Sequence, residues 1–163
     1  MVPLPLLVLD LDETLIHVSE TARTADFHLG SRCVSIRPGA SQFLLEARRH
    51  FRLAVWTART TAYAHRVLHN LLPPETSLAF VWSVAECHQA VDGSGRRRWF
   101  KDLDRLRLAG FPLESVAVLD DAPEAIIPRT ARVLTISLYA GAAEDEDLKR
   151  WTTQLAEVAL SLR

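Results

Sequence analysis

Apolar residues fall along this chain in short bursts separated by amphipathic stretches. Leu4 to Leu9 is almost wholly apolar, and similar runs recur at Leu53 to Trp56, Ala79 to Trp82, Val116 to Leu119 and Val133 to Ile136. Each is rich in Val, Leu or aromatic residues and too short for a stable helix. Each therefore reads as a strand buried on both faces, as in a parallel sheet covered by helices. Between the bursts the spacing turns helical. In Ser41 to His50, the residues Phe43, Leu44 and Ala47, with Phe51 just beyond, share a face. In Thr60 to Leu72, Tyr63, Val67 and Leu71 recur every four positions until Pro73 and Pro74 stop the pattern. Asp102 to Ala109, closed by Gly110, is a third helix, and Ala122 to Arg129 is at most a short one.

This alternation predicts an α/β fold with a mainly parallel central sheet of about five strands and right-handed crossovers. The segment from Glu144 to Leu162 sets Leu148, Trp151, Leu155, Val158 and Leu162 at spacings of three and four. It reads as an amphipathic helix that packs on the parent domain, with a partner-binding helix as the alternative. Two stretches break the alternation. His17 to Ile36 (17–36) is polar and β-tolerant, and Glu86 to Phe100 (86–100) carries the turn signal Asp92-Gly93-Ser94-Gly95 ahead of Arg96, Arg97, Arg98 and Trp99. Both read as small β-hairpin inserts.

With 163 residues, 48% hydrophobic and 24% charged, the chain has the composition of one globular domain over 1–163. Nineteen basic against twenty acidic residues leave a formal charge of −1, so no whole-molecule field attracts nucleic acid or anionic lipid. Cys33 and Cys87 form no CxxC or Cys/His pattern, which argues against a disulfide framework or a zinc site and for a reducing compartment. No apolar stretch approaches the roughly 20 residues of a membrane span, and the apolar start meets Asp10, Asp12 and Glu13 without a basic leading region. The expectation is a cytoplasmic protein without a membrane partner.

The chemistry begins where the first strand ends, at Asp10-Leu11-Asp12-Glu13-Thr14. Side chains two apart on an extended segment point the same way, and ligands in open α/β sheets gather beyond the carboxyl ends of the strands. Asp10 and Asp12 can therefore face one site and hold magnesium, a hard cation that takes oxygen ligands; the competing reading is a solvated, helix-capping turn. A second acidic pair, Asp120-Asp121, follows a second apolar run in the same way. A third strand ends at Trp56-Thr57-Ala58-Arg59, where a hydroxyl and free backbone amides can receive phosphate oxygens. Lys101, taken as opening a helix, can neutralise phosphate or be an ordinary surface charge.

The string Leu9-Asp10-Leu11-Asp12-Glu13-Thr14-Leu15-Ile16-His17, followed by Trp56-Thr57-Ala58, Lys101-Asp102-Leu103 and Leu119-Asp120-Asp121-Ala122-Pro123, resembles the haloacid dehalogenase superfamily. More narrowly, it is similar to the branch of small phosphatases that act on the C-terminal domain of RNA polymerase II, the Fcp1-like type. Arg37-Pro38-Gly39 shares that likeness. The resemblance implies a three-layer Rossmann-like sandwich with hairpin inserts and no large cap domain. It also implies a Mg2+-dependent phosphomonoester hydrolase that works through an aspartyl-phosphate. On that pattern Asp10 is the nucleophile and a metal ligand. Asp12 is the general acid and base, with its backbone carbonyl on the metal. Thr57, Ala58 and Lys101 bind the phosphoryl group, Asp121 and Asp120 complete the metal site, and Thr14 supports the loop.

Two departures stand out: Arg59 replaces a small residue, putting an extra cation beside the phosphate site, and the insert at 17–36 is short. The substrate class implied is phosphoserine or phosphothreonine in a protein. A nucleic-acid end, 3′ or 5′, a small phosphate ester or a phosphotransfer acceptor are alternatives, and a non-catalytic binding module is a further one. Across Ala90 to Arg107 six basic residues face three acidic ones. That patch is either a solvated hairpin face or a guide for anionic substrate. Trp99 and Phe100 are expected to pack the hairpin on the sheet, with base or aromatic stacking as the alternative. His65 and His69 lack a third ligand in the pattern and read as surface residues.

Overall fold

The computed structural model describes residues 3–127 and 130–162. In chain order the elements are β1 (Leu6–Leu9), β2 (Ile16–Ser19), β3 (Phe27–Leu29), β4 (Arg32–Ile36), α1 (Ala40–His50), β5 (Arg52–Trp56), α2 (Thr61–Leu71), β6 (Leu78–Trp82), β7 (His88–Val91), β8 (Arg97–Asp102), α3 (Asp104–Leu108), β9 (Val116–Asp120), β10 (Ile126–Ile127), β11 (Arg132–Thr135) and α4 (Asp147–Leu160). The five apolar bursts became the five strands of one parallel sheet, in the order β11-β9-β1-β5-β6. The chain leaves β1 for β5 and β6 on one side and later fills β9 and β11 on the other. The strand order thus reverses beside β1, where open sheets form a crevice.

Alternate residues of each strand feed two different cores. Leu7 and Leu9 point to the face covered by α1, α2 and α4, and Leu6 and Val8 to the face covered by α3. All four are within 3% of full burial, worth roughly 1.5 to 3 kcal/mol apiece. The sandwich is uneven, because three long helices crowd one face while a single five-residue helix and a small sheet, β10-β8-β7, cover the other. Helix α4 buries Leu148, Leu155, Val158 and Ala159 in the same core as Phe43, Leu44 and Ala47 of α1, as the amphipathic stripe predicts. Gly39 enters α1 with φ +83°, and a Cβ there would sit 3.2 Å from Lys149 Cγ of α4, so this turn needs glycine on both counts.

Insert 17–36 is a three-stranded antiparallel sheet, β2-β4-β3, and insert 86–100 is the β7–β8 hairpin. Two readings of the sequence need correction here. Lys101 does not open a helix: Lys101 and Asp102 pair with Ile126 and Ile127 of β10, which extends the hairpin strand and delays α3 to Asp104. Ala122 to Arg129 forms a 3-10 turn at Pro123–Ala125 and then strand β10; Pro128 and Arg129 lie outside the described residues.

The 17–36 sheet packs Val34, Val18 and Phe27 against the main core, and Arg37 just beyond it adds a polar staple. Arg37 is 1% exposed. It donates from Nε and Nη2 to the two carboxylate oxygens of Asp145 (2.7 and 2.8 Å) and from Nη1 to the carbonyls of Thr14 (3.1 Å) and Ser137 (2.8 Å). It thereby joins the insert, the loop before α4 and the loop after β1. Replacing Arg37 by Met strands a nearly buried carboxylate, so thermal unfolding should show a loss of about 3 kcal/mol and a Tm lower by about 6 to 12 °C; an unchanged Tm contradicts the staple.

Candidate active site

Every sequence-predicted site residue lies at the carboxyl edge of the three central strands or on β8. Asp10 follows β1, Thr57 follows β5, Asp120 ends β9, and the hairpin brings Lys101 across from 91 residues away. Asp10, Asp12, Thr57, Arg59, Lys101 and Asp121 line one cleft of about 430 Å3. A larger hollow of about 550 Å3 lies at the opposite edge, under Arg52 and Leu78, and gathers no carboxylate cluster.

Lys101 Nζ donates to Asp10 Oδ1 (2.8 Å) and Asp120 Oδ2 (2.6 Å), all three side chains being buried. The other oxygen of Asp120 accepts the backbone N–H of Ala122 (2.9 Å). Thr14 Oγ1, fully buried, lies 3.1 Å from Asp10 Oδ2 and 2.9 Å from Asp121 Oδ1, and it accepts the Asp121 backbone N–H (3.2 Å). Asp10, Asp120 and Asp121 each bring a carboxylate oxygen within 4.8 Å of the others, the one such cluster of three possible metal-ligating side chains among the described residues.

One ammonium facing three carboxylates leaves two negative charges in a largely dry cluster. Burial pushes Asp10 up to about 7, with the repulsion of Asp120 and Asp121 outweighing part of the pull of Lys101. Burial raises Asp121 too, against the hydrogen bond from Thr14. For Lys101, burial disfavours the ammonium, but Asp10 and Asp120 more than compensate and hold its pKa above the usual lysine value. An all-oxygen donor set with surplus negative charge fits a hard divalent cation. Asp10 and Asp120 have both oxygens engaged by the protein, whereas Asp121 keeps one without a partner among the described residues.

Thr57 is 1% exposed. Its backbone N–H donates to the Trp82 carbonyl (3.0 Å), and its hydroxyl accepts from the N–H of Arg59 (3.1 Å). The Ala58 N–H makes no hydrogen bond among the described residues, so it is the amide there open to a phosphate oxygen. Arg59 turns toward Asp12, with Nε 3.5 Å from Oδ1, and its guanidinium lies 5.5 Å over the Tyr63 ring.

Tyr63 is the member of the site that sequence reading assigned only to a helix face. Its hydroxyl donates to Asp12 Oδ1 at 2.5 Å, and Asp12 Oδ2 is buried with no partner among the described residues. Burial and this bond raise the Tyr63 pKa, so it stays a donor. The signal was its place three residues after Thr60, which caps α2; nothing local says that α2 leans over Asp12. Cys87, half-buried on the cleft wall, was also missed. Trp99 is a correction: it is 42% exposed and lines the cleft, and does not pack the hairpin on the sheet.

The NLI interacting factor-like phosphatase family model matches residues 5–162. Phosphatase PSR1 of Saccharomyces cerevisiae is 28% identical over 151 residues, covering 87% of this chain and 33% of that protein. The chain spans between 33% and 48% of the length of the curated relatives it matches. Among solved structures, that of Fcp1, an essential RNA polymerase II CTD phosphatase, aligns with TM-score 0.62 at 19% identity over 96% of this chain and 49% of that one. The 3-deoxy-D-manno-octulosonate 8-phosphate phosphatase of Moraxella catarrhalis, in complex with magnesium and phosphate ions, aligns with TM-score 0.54 at 12% identity over 98% and 89%. Helices long and apolar enough to cross a membrane are absent among the described residues.

Proposed function

Because the chain belongs to the NLI interacting factor-like phosphatases and has the haloacid dehalogenase-like fold, we propose that it hydrolyses phosphoserine or phosphothreonine esters in proteins, with Asp10 as nucleophile. The observation that carries this reading is the buried Asp10–Lys101–Asp120 chain of charges lining an open cleft. A carboxylate oxygen of Asp10 attacks phosphorus while the bond to the serine oxygen breaks and Asp12 gives that oxygen its proton. Water then attacks the aspartyl-phosphate, Asp12 takes back a proton, and inorganic phosphate leaves with Asp10 restored. Asp12 lines the cleft, and Tyr63 and Arg59 at its Oδ1 hold the carboxyl in place for both transfers. Lys101, the Ala58 amide and the Thr57 hydroxyl receive the phosphoryl oxygens, and Asp120 aims Lys101.

Asp10, Asp121 and the Asp12 carbonyl would hold Mg2+, which when bound supplies charge neutralisation for the phosphoryl group. Thr14 orients both carboxylates. Protein substrates are favoured over small ones because the cleft carries no cap among the described residues, and only the small β7–β8 hairpin borders it. The likeness to Fcp1, a phosphatase of the RNA polymerase II CTD, points the same way. A cytoplasmic location and a single domain over 1–163 remain part of the proposal.

The test is a panel of phosphopeptides, 3′- and 5′-phosphorylated oligonucleotides and small phosphate esters, assayed after chelation and again with Mg2+. Phosphopeptides should give the highest kcat/KM, and activity should return only with the metal. Preference for oligonucleotides or for a sugar phosphate would overturn the substrate class. Proton competition gives a second check. Asp10 titrates near 7 without metal, so protons and Mg2+ compete for it below that pH. Calorimetric Mg2+ affinity should weaken by about tenfold per unit as pH falls from 6.5 to 5.5 and level off above 7.5; a flat profile would remove Asp10 from the ligand set.

A further inference from the structure

We propose that the outer part of the β7–β8 hairpin is a second anion subsite, in which Arg97 receives an acidic or phosphorylated side chain of the same substrate peptide about four residues from the phosphorylated one. This rests on the reading of the cleft as a phosphopeptide site. Side chains two apart on a strand share a face. Lys101 and Trp99 of β8 both line the cleft, so Arg97, the next residue on that face, continues the cleft wall outward. The opposing strand adds Gln89 across from Trp99 and Val91 across from Arg97. The result is a strip that runs from the buried ammonium to an exposed indole and then to an exposed guanidinium.

Three observations separate this strip from an ordinary solvated hairpin. Trp99 is 42% and Val91 64% exposed on it, apolar surface that a strand normally buries. Arg97 forms no ion pair among the described residues, whereas Arg98, on the other face, lies 3.9 Å from Glu124. The one acid between Ala90 and Lys101, Asp92, is consumed by its own turn, accepting from Ser94 and from the Arg96 backbone N–H (2.9 and 3.1 Å). Arg97 is therefore left without an acidic partner among the described residues. At about 3.3 Å per residue, Trp99 lies about 7 Å and Arg97 about 13 Å beyond Lys101 along the strand. An extended peptide advances at the same rate, so a phosphate at Lys101 puts the side chain four residues away at Arg97. The residues between can lie on Trp99.

The experiment compares peptides with one phosphoserine and either Ala, Lys or a second phosphoserine four residues before or after it. Binding is read by fluorescence anisotropy in Asp10→Asn, and kcat/KM in the unmodified chain. A second phosphate on one side should tighten binding about fivefold at low salt, with the gain fading at 0.5 M salt. Adding Arg97→Glu should abolish that gain and turn it into a preference for Lys. Equal binding of all peptides, or a gain that survives Arg97→Glu, overturns the subsite, as does tighter binding of a 5′-phosphorylated oligonucleotide than of the doubly phosphorylated peptide. Failure of the underlying reading looks different: full hydrolysis of the singly phosphorylated peptide by Asp10→Asn.

Discussion

Asp10→Asn should lose phosphomonoester hydrolysis by roughly 10^4-fold or more, measured on 4-nitrophenyl phosphate and on a phosphopeptide with saturating Mg2+. Asn matches Asp in size and can still accept from Lys101, but its amide is a poor nucleophile, so the covalent step fails while the cleft keeps its shape. The same variant carries a stability signature of opposite sign. Burial holds Asp10 near 7 against an ordinary value of 3.8, so the folded chain retains a proton there that the unfolded chain has already released. Stability from this group is therefore highest below pH 4 and declines as pH rises from about 4 to 7, because the ionised form is the costly one. With a chelator present, Asp10→Asn should unfold at a higher temperature than the parent at pH 8, and the gap should shrink to about half at pH 5.5 and close only below about pH 4. Retained activity would remove Asp10 from the reaction; a lower Tm at pH 8 would mean that the Lys101 contact outweighs burial.

Lys101→Met should cost roughly 10^3-fold in kcat/KM. Lys101 is 5% exposed and its ammonium bridges Asp10 and Asp120, so its loss leaves two neighbouring carboxylates without their shared counter-charge and, on the proposed reading, takes away a phosphate contact. Asp10 is then harder to ionise, and the remaining activity should climb with pH into the alkaline range where the parent is already level. Lys101→Arg is not a rescue, because a planar fork does not fit a pocket closed around one nitrogen. Asp120→Asn in the Lys101→Met background should recover part of the loss by lowering the repulsion on Asp10. A variant as active as the parent would place the phosphate elsewhere in the cleft.

Much of this site is legible in the sequence. Acids after apolar runs announce carboxylates at strand ends, because a doubly buried strand must turn polar where it leaves the core. Asp10, Asp12, Asp120 and Asp121 follow that rule, Thr57 supplies a hydroxyl at a third strand end, and the ordered motifs carry the family resemblance. The parts misread or missed share a cause. Lys101 was placed on a helix because Asp102 to Ala109 looks helical from its own residues, whereas two residues of pairing with β10 keep the strand going. Tyr63 meets Asp12 across 51 residues, and the Arg37 guanidinium reaches Asp145 across 108. Trp99 was expected under the hairpin, since an aromatic on a strand usually packs inward, but its alternation with Lys101 commits it to the cleft.

By itself, the sequence determined the period of each segment and hence the parallel sheet, its two-sided burial and the chemistry at its edge, since strand burial and side-chain direction depend on near neighbours. Tertiary structure alone decided which charges meet: the hairpin that swings Lys101 between Asp10 and Asp120, the lean of α2 that sets Tyr63 on Asp12, and the face on which Trp99 and Arg97 stand. These are contacts between groups far apart in the chain, and their energies depend on distance and dielectric, which exist only once the core has packed.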